Sequence, residues 1–232
     1  MALAPDQWHM DDGKSEVGAV ETTGLLHRYL LVLRFALVNI VAFGLLVAVF
    51  LQGWLEGAFV DYTMWLSLGI FGVFLFGMIL CAAKIWRTSV ELNDVRAGTP
   101  RPASAADKYL AAVHDYSAEG RSIIANSLRL RMNNYISIVR QIANTLVFCG
   151  LVGTVIGFIV ALSGVNPELS ATVDNIAPMV ATLIQGMSIA LYTTLIGAVL
   201  HVWLMVNHGI LVTGTVHLFS AIVELGERRV GS

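Results

Sequence analysis

Charge is what this sequence is short of. Asp, Glu, Lys and Arg make up 13% of its 232 residues, against roughly 25% in a soluble domain. With 56% hydrophobic residues and a mean hydropathy of +0.74, the deficit is too large for an ordinary core and points to lipid as the solvent. The net charge of −2 provides no broad basic field for nucleic acid. Cysteine is scarce too. Cys81 and Cys149 both fall in apolar runs with no spacing that pairs them, so they are expected to be inert buried thiols, without a disulfide or a metal. No signal peptide is expected: Asp6, Asp11, Asp12, Glu16 and Glu21 surround a single Lys14, the wrong charge for its basic start. Internal repeats and low-complexity segments are absent.

What is present is four long apolar runs. Crossing ~30 Å of hydrocarbon takes about 20 apolar residues in a helix. The first run is about Phe35–Leu51, preceded by Tyr29–Leu33 and interrupted by Arg34, which can snorkel to the headgroups. The others are Tyr62–Ile85, Ile142–Gly164 and about Ala177–Val206, the last longer than a bilayer needs. None holds a carboxylate. The fold class expected is an all-α polytopic membrane protein with four transmembrane helices, the third and fourth extending into a small helical cytoplasmic region.

Orientation follows from the basic residues. The short connectors Gln52–Asp61 and Val165–Ile176 contain none, and all fourteen Lys and Arg fall on the other side. That side is the cytoplasm by the positive-inside rule, so both termini are inside. Trp54, Trp65 and Trp86 lie near the expected interfaces. The chain divides into a cytoplasmic segment (1–28), a first transmembrane hairpin (29–86), a cytoplasmic helical connector (87–141), a second hairpin (142–208) and a cytoplasmic C-terminal helix (209–232). In the connector, Gly98-Thr99-Pro100-Arg101-Pro102 is a break, and Ser104 can cap the helix after it. No strong breaker separates Arg121 from the third span, so one long helix is expected there. Apolar residues from Leu211 to Leu225 suggest a separate amphipathic helix in the tail.

The informative residues lie in the second hairpin. Gly150, Thr154, Gly157 and Ala161 recur at helical offsets, and so do Gly186, Ala190, Thr194, Gly197 and His201. Each stripe of small residues carries a threonine in its middle. Small stripes let helix backbones approach closely, and each threonine can bond back to a carbonyl one turn earlier. The same pattern also suits two threonines lining a narrow ion path. Asn39 and Gln185 suit inter-helical hydrogen bonds, while Tyr192 and Thr193 flank the stripe and face neighbouring helices. His201 and His208 are two turns apart, but no third ligand accompanies them, so no metal or cofactor is expected. Neither the outer carboxylates Glu56, Asp61, Glu168 and Asp174 nor the adjacent His114 and Asp115 make a catalytic constellation, so an enzyme is not expected. A proton-driven device needs an intramembrane ionisable group, and these spans lack a carboxylate; a second subunit would have to bring it.

The stretches GLVGTVIGFIVALSGV (Gly150–Val165) and GMSIALYTTLIGAVLH (Gly186–His201) resemble the MotA/TolQ/ExbB proton-channel family. The fourth span and the four-span layout are most similar to MotA; TolQ and ExbB have three spans and a glutamate where Ile189 stands here. The resemblance implies a homopentamer in the bacterial inner membrane, around a dimer of a single-span MotB/TolR/ExbD-type subunit whose aspartate carries the ion. It also implies that Thr154 and Thr194 line the ion pathway, with Gly150, Gly157, Ala161, Gly186, Ala190 and Gly197 as small pore-face residues. Ion-motive force would drive rotation or force on the partner. The connector of about fifty-five residues and the short tail depart from flagellar MotA, so another envelope or surface process is the expected client. A non-conducting tetraspan scaffold is the alternative.

Overall fold

A computed structural model describes residues 12–52, 61–102, 104–113, 118–164 and 176–230. His114 and Asp115, and the outer carboxylates Glu56, Glu168 and Asp174, lie outside them. The described residues form five helices and no strand: α1 (Asp12–Leu51), α2 (Asp61–Arg96), α3 (Ala105–Val113), α4 (Ala118–Ser163) and α5 (Ile176–Val230). All except α3 are long and apolar enough to cross a membrane. At about 1.5 Å per residue, the 46 residues of α4 and 55 of α5 reach roughly 70 and 80 Å, far more than a bilayer's thickness.

The long α4 was expected from the lack of a breaker after Arg121. The tail is a correction. It is no separate helix: α5 runs without interruption through Gly209 to Val230. A lone glycine costs a helix only about 1 kcal/mol. That cost is outweighed by buried Ile210, Leu211, Leu218 and Ile222, which keep the tail on the same packed face.

The break after α2 is a complete Schellman ending. Gly98 takes φ +72°, which only glycine adopts cheaply; its N–H donates to Val95 O at 3.1 Å, and the Thr99 N–H donates to Asp94 O at 3.2 Å. Pro100 then prevents continuation. Ser104 caps α3 as its sequence suggested, its Oγ accepting from the Asp107 N–H at 3.1 Å. Glu91 on α2 adds a second cap, accepting from the Ala105 N–H at 2.8 Å. These bonds seat α3 on a basal core of Val95, Ala106, Tyr109, Val113, Leu218 and Ile222, which joins α2, α3 and α5.

The main core joins α2, α4 and α5. It includes Ile70, Phe74, Cys81 and Ile85 from α2, Ile136, Val139, Ala143 and Leu146 from α4, and Leu200, Leu204 and Leu211 from α5. α1 is peripheral. It touches this core through Leu31, Val32, Phe35 and Val38, and Leu31 fills the space over Gly214. A polar clasp fixes its height: Asn39 Nδ2 donates to Asn207 Oδ1 at 2.7 Å, and Trp203 Nε1 donates to Asn39 Oδ1 at 2.9 Å.

Contacts between helices define a common level. Gly77 of α2 faces Leu204 of α5 and Ile142 of α4, while Asn39 of α1 meets Trp203 and Asn207. In α1 and α2 this level lies mid-span. In the second hairpin it lies at one end of the apolar runs, where the third begins at Ile142 and the fourth finishes near Val206. The two hairpins are therefore staggered along their axes by about ten residues, or ~15 Å.

Candidate ion-pathway site

The second hairpin is an antiparallel pair with a seven-residue repeat. On α4, Ile136, Val139, Ala143, Leu146, Gly150, Gly153 and Gly157 are buried at alternating steps of three and four, and Ala161 follows four residues on. On α5, Gly186, Ile189, Thr193, Gly197, Leu200, Leu204, Asn207 and Leu211 are buried in a similar rhythm. Such spacing is that of a coiled-coil seam. Its composition changes along the hairpin, from Leu, Ile and Val around Val139 and Leu204 to Gly and Ala around Gly157 and Gly186.

Between Gly150 and Ala161 the α4 backbone nearly touches that of α5. A methyl group on Gly157 would sit 2.6 Å from Ala190 N and 2.7 Å from Gly186 O. One on Gly197 would sit 2.9 Å from Leu146 O, and one on Gly150 3.3 Å from Thr194 Cα. Gly186 packs in the same way on the Ala161 backbone. The structure thus brings together Gly150, Gly157, Ala161, Gly186, Ala190 and Gly197, but within the hairpin: in the single chain each covers the other helix. Close packing is the use this geometry makes of them.

Thr193 faces the neighbouring helix, as expected of it, and meets Gly153 there. Gly153 and Thr193, rather than Thr154 and Thr194, occupy the seam. Thr193 is fully buried over Gly153, and its Oγ1 donates to Ile189 O at 3.0 Å. Reading the glycines against a seven-residue repeat, 150–153–157, would have found this pair. Ile189, 4% exposed, packs beside them.

Thr154 and Thr194 sit on the rim of the seam. Thr154 is half-buried and Thr194 exposed. Thr154 Oγ1 donates to Leu151 O at 2.6 Å; Thr194 Oγ1 approaches Ala190 O at 3.1 Å and, across the seam, Gly150 O at 3.4 Å. Each hydroxyl proton is thus committed to a carbonyl, and what each side chain still offers is lone pairs. Such a group accepts a hydrogen bond from a carboxylic acid and has nothing to donate to a carboxylate.

The remaining polar candidates have structural partners. His201 Nδ1 lies 2.8 Å from Ala143 O, tying α5 to α4. Asn39 forms the inter-helical clasp expected of it, and Gln185 is half-buried on α5. Tyr192 is half-buried too. Among the described residues no three His, Cys, Asp or Glu cluster as metal ligands. Lys84 is buried without a carboxylate: Nζ donates to Tyr135 O at 2.5 Å and lies 3.4 Å from the centroid of that tyrosine's ring.

The family model of the MotA/TolQ/ExbB proton channels matches residues 110–227, just over half of the chain. The chain belongs to that family. The match takes in α4 and nearly all of α5, and so the whole seam and both rim threonines. α1 and α2, the first hairpin, precede it. No curated protein and no solved structure matches the chain. Membership in a proton-channel family agrees with four helices long and apolar enough to cross a membrane and sets this MotA/TolQ/ExbB member among proton-channel, motor-type subunits.

Proposed function

We propose that this chain is the ion-conducting subunit of an inner-membrane motor, with protons as the ion. Five copies surround a dimer of a single-span MotB/TolR/ExbD-type partner, both termini of each copy lying in the cytoplasm. The partner's aspartate supplies the titrating group that these spans lack. Protons enter from the outer side, between the ring and the partner helix. Each proton carried down a membrane potential releases ~2.3 kcal/mol per 100 mV, which biases stepwise rotation of ring against partner.

The observation that carries this reading is the commitment of the Thr154 and Thr194 hydroxyl protons to Leu151 O and Ala190 O. The partner's carboxyl is costly to charge in a dry groove and is favoured there in its protonated form. An acceptor-only rim reinforces that choice, because it receives the acid's O–H and leaves a carboxylate unsatisfied. Protonation docks the carboxyl against the rim and deprotonation releases it.

The same back-bonding is what a non-conducting scaffold would use for packing alone, and proton flux separates the two. The complex with its partner, reconstituted in vesicles, is expected to pass protons. Thr154→Ser and Thr194→Ser keep an acceptor and keep most of the flux. Thr154→Val and Thr194→Val remove it and each lower flux about fivefold to tenfold, from the ~1–1.5 kcal/mol of a hydrogen bond. Unchanged flux in both valine variants sinks the pathway assignment. Native mass spectrometry of the complex tests the five-to-two stoichiometry directly.

A further inference from the structure

The stagger of the hairpins leaves polar side chains at a depth where lipid would be expected. On α2, Trp65 and Trp86 are 82% and 62% exposed and stand twenty-one residues apart, about 31 Å along a helix. That is the thickness of a hydrocarbon core, and tryptophan prefers its two edges. Gly77 lies nine residues, or about 13 Å, inside the Trp86 edge. Around it Phe76 and Ile79 are bare at 59% and 66% exposure, and on α1 so are Ile40 and Val41, at 72% and 62%. This side of the protein faces lipid.

Ile142 of α4 touches the Gly77 position, so Gln141 and Asn144 lie within about 3 Å of that depth, and Arg140 and Ser137 about 3 and 7.5 Å nearer the Trp86 edge. Ser137, Arg140, Gln141 and Asn144 are all exposed. A helix turns about 100° per residue, which places these four roughly 100–160° around α4 from Ile142, the residue that meets α2. They point away from the lipid-facing hairpin. An exposed guanidinium and two amides near mid-bilayer are expensive in hydrocarbon and are expected only in protein or in water. One turn further out the same face becomes apolar, with Phe148, Leu151 and Val155 at 66%, 52% and 59% exposure.

We propose that Ser137, Arg140, Gln141 and Asn144 line a water-filled vestibule that opens on the basic side and reaches the middle of the bilayer. It ends at the apolar collar of Phe148, Leu151 and Val155. The inference deepens the proposed function, since it rests on copies of this chain surrounding an axis. The vestibule is the inner leg of the ion path, taking water and hydrated ions. The collar spans the ten residues from Asn144 to Thr154, about 15 Å, and only there does an ion need the partner's carboxyl. The membrane potential falls mostly across that stretch.

Cysteine accessibility tests it in the assembled complex in native membranes. The background variant Cys149→Ala keeps buried Cys81 and gives the blank. Single cysteines at Ser137, Gln141, Asn144 and Ile79 are treated from each side with a charged, membrane-impermeant methanethiosulfonate. The reagent attacks the thiolate, whose formation lipid suppresses, so a lipid-facing cysteine should react at least ~100-fold more slowly than one in water. The expected result is fast labelling of the three α4 cysteines from the basic side only, and slow labelling of Ile79→Cys. Labelling of Gln141→Cys and Asn144→Cys as slow as that of Ile79→Cys overturns the vestibule, whatever the wild-type flux. Fast labelling that leaves proton flux unchanged overturns its place in the ion path. Fast one-sided labelling in a complex that passes no protons upholds the vestibule and rejects the conducting reading on which it was built.

Discussion

A single methyl group on Gly157 measures how much the close seam matters. In Gly157→Ala the new Cβ would stand 2.6 Å from Ala190 N, 2.7 Å from Gly186 O and 2.9 Å from Ala190 Cα. All three are backbone atoms of α5 and cannot rotate away. Restoring an ordinary 3.4 Å contact requires the helices to part by about 0.8 Å. Gaps of that size forfeit a quarter to a half of the dispersion energy at the surfaces they separate, and overpacking of this kind costs about 1–3 kcal/mol. Gly72 on α2 is the control, because a Cβ there meets nothing within 4 Å. Gly72→Ala gains helix propensity, up to about 1 kcal/mol. That gain is common to both variants and cancels, so they should differ by the overpacking cost of about 1–3 kcal/mol, or ~5–150-fold in an unfolding equilibrium. Denaturant titration of the purified protein in mixed micelles reads that difference. Membrane insertion should be intact in both, since alanine is no less apolar than glycine. Gly157→Leu should also insert and should abolish proton flux. Equal stability of Gly157→Ala and Gly72→Ala would refute the close-packed seam.

Four further outcomes follow from particular contacts. Asn39→Leu removes the donor to buried Asn207 Oδ1 and the acceptor of the Trp203 N–H, so it should cost about 1–3 kcal/mol and free α1, seen as a loss of cross-linking between α1 and α5 cysteines. Thr193→Ala opens a cavity over Gly153 and should lower the denaturation midpoint, whereas Thr194→Ala, on the rim, should leave the midpoint nearly unchanged and act on flux. Lys84→Met should be neutral or stabilising, since a buried charge is replaced by an apolar chain of similar length; Tyr135→Ala should be destabilising by about 1–2 kcal/mol through the lost cation–π contact. Tyr109 in the basal core has its phenol pushed above the usual value of 10.0, first by burial and then by Glu227, with Arg121 pulling the other way. The neutral form is the one the fold prefers, so this contribution is whole below pH 10 and is lost as pH rises through the higher folded value; a spectrophotometric titration should show one late phenolate that Tyr109→Phe removes.

The number of spans and the break after α2 were legible because each is a local property. Twenty apolar residues need no partner to declare themselves, and Gly98-Thr99-Pro100 ends a helix by its own backbone geometry. The Ser104 cap is equally local. Its companion Glu91, however, reaches Ala105 from another helix and leaves no mark on the sequence around it. The rim threonines were legible as residues but not in phase. A 3.6-residue period and a seven-residue repeat differ by about 20° per heptad. Over the two or three turns of the small stripe that drift is only about 20–30°, far less than the ~100° between neighbouring residues; what spacing leaves open is that offsets of three and four from Gly150 and from Gly197 both lie on one face. The tail was misread for the opposite reason: Gly209 has a local signal for an ending, and tertiary packing of Leu211, Leu218 and Ile222 overrides it.

The stagger of the hairpins could not be read locally at all. Hydropathy locates each apolar run on its own helix and is silent on relative height, so the simplest expectation is four spans level in one slab. Height is set instead by side chains far apart in the chain: Asn39 with Asn207, 168 residues on, and Lys84 with Tyr135, 51 residues on. These contacts hold the two hairpins offset along their axes. A lone hairpin pair placed this way would bare either the apolar surface of α1 and α2 to water or the polar face of α4 to lipid. A ring resolves the conflict, because its outer wall meets the bilayer while its inner wall does not. The stagger is thus an argument for assembly that the small-residue stripe cannot supply, since that stripe is satisfied within one chain.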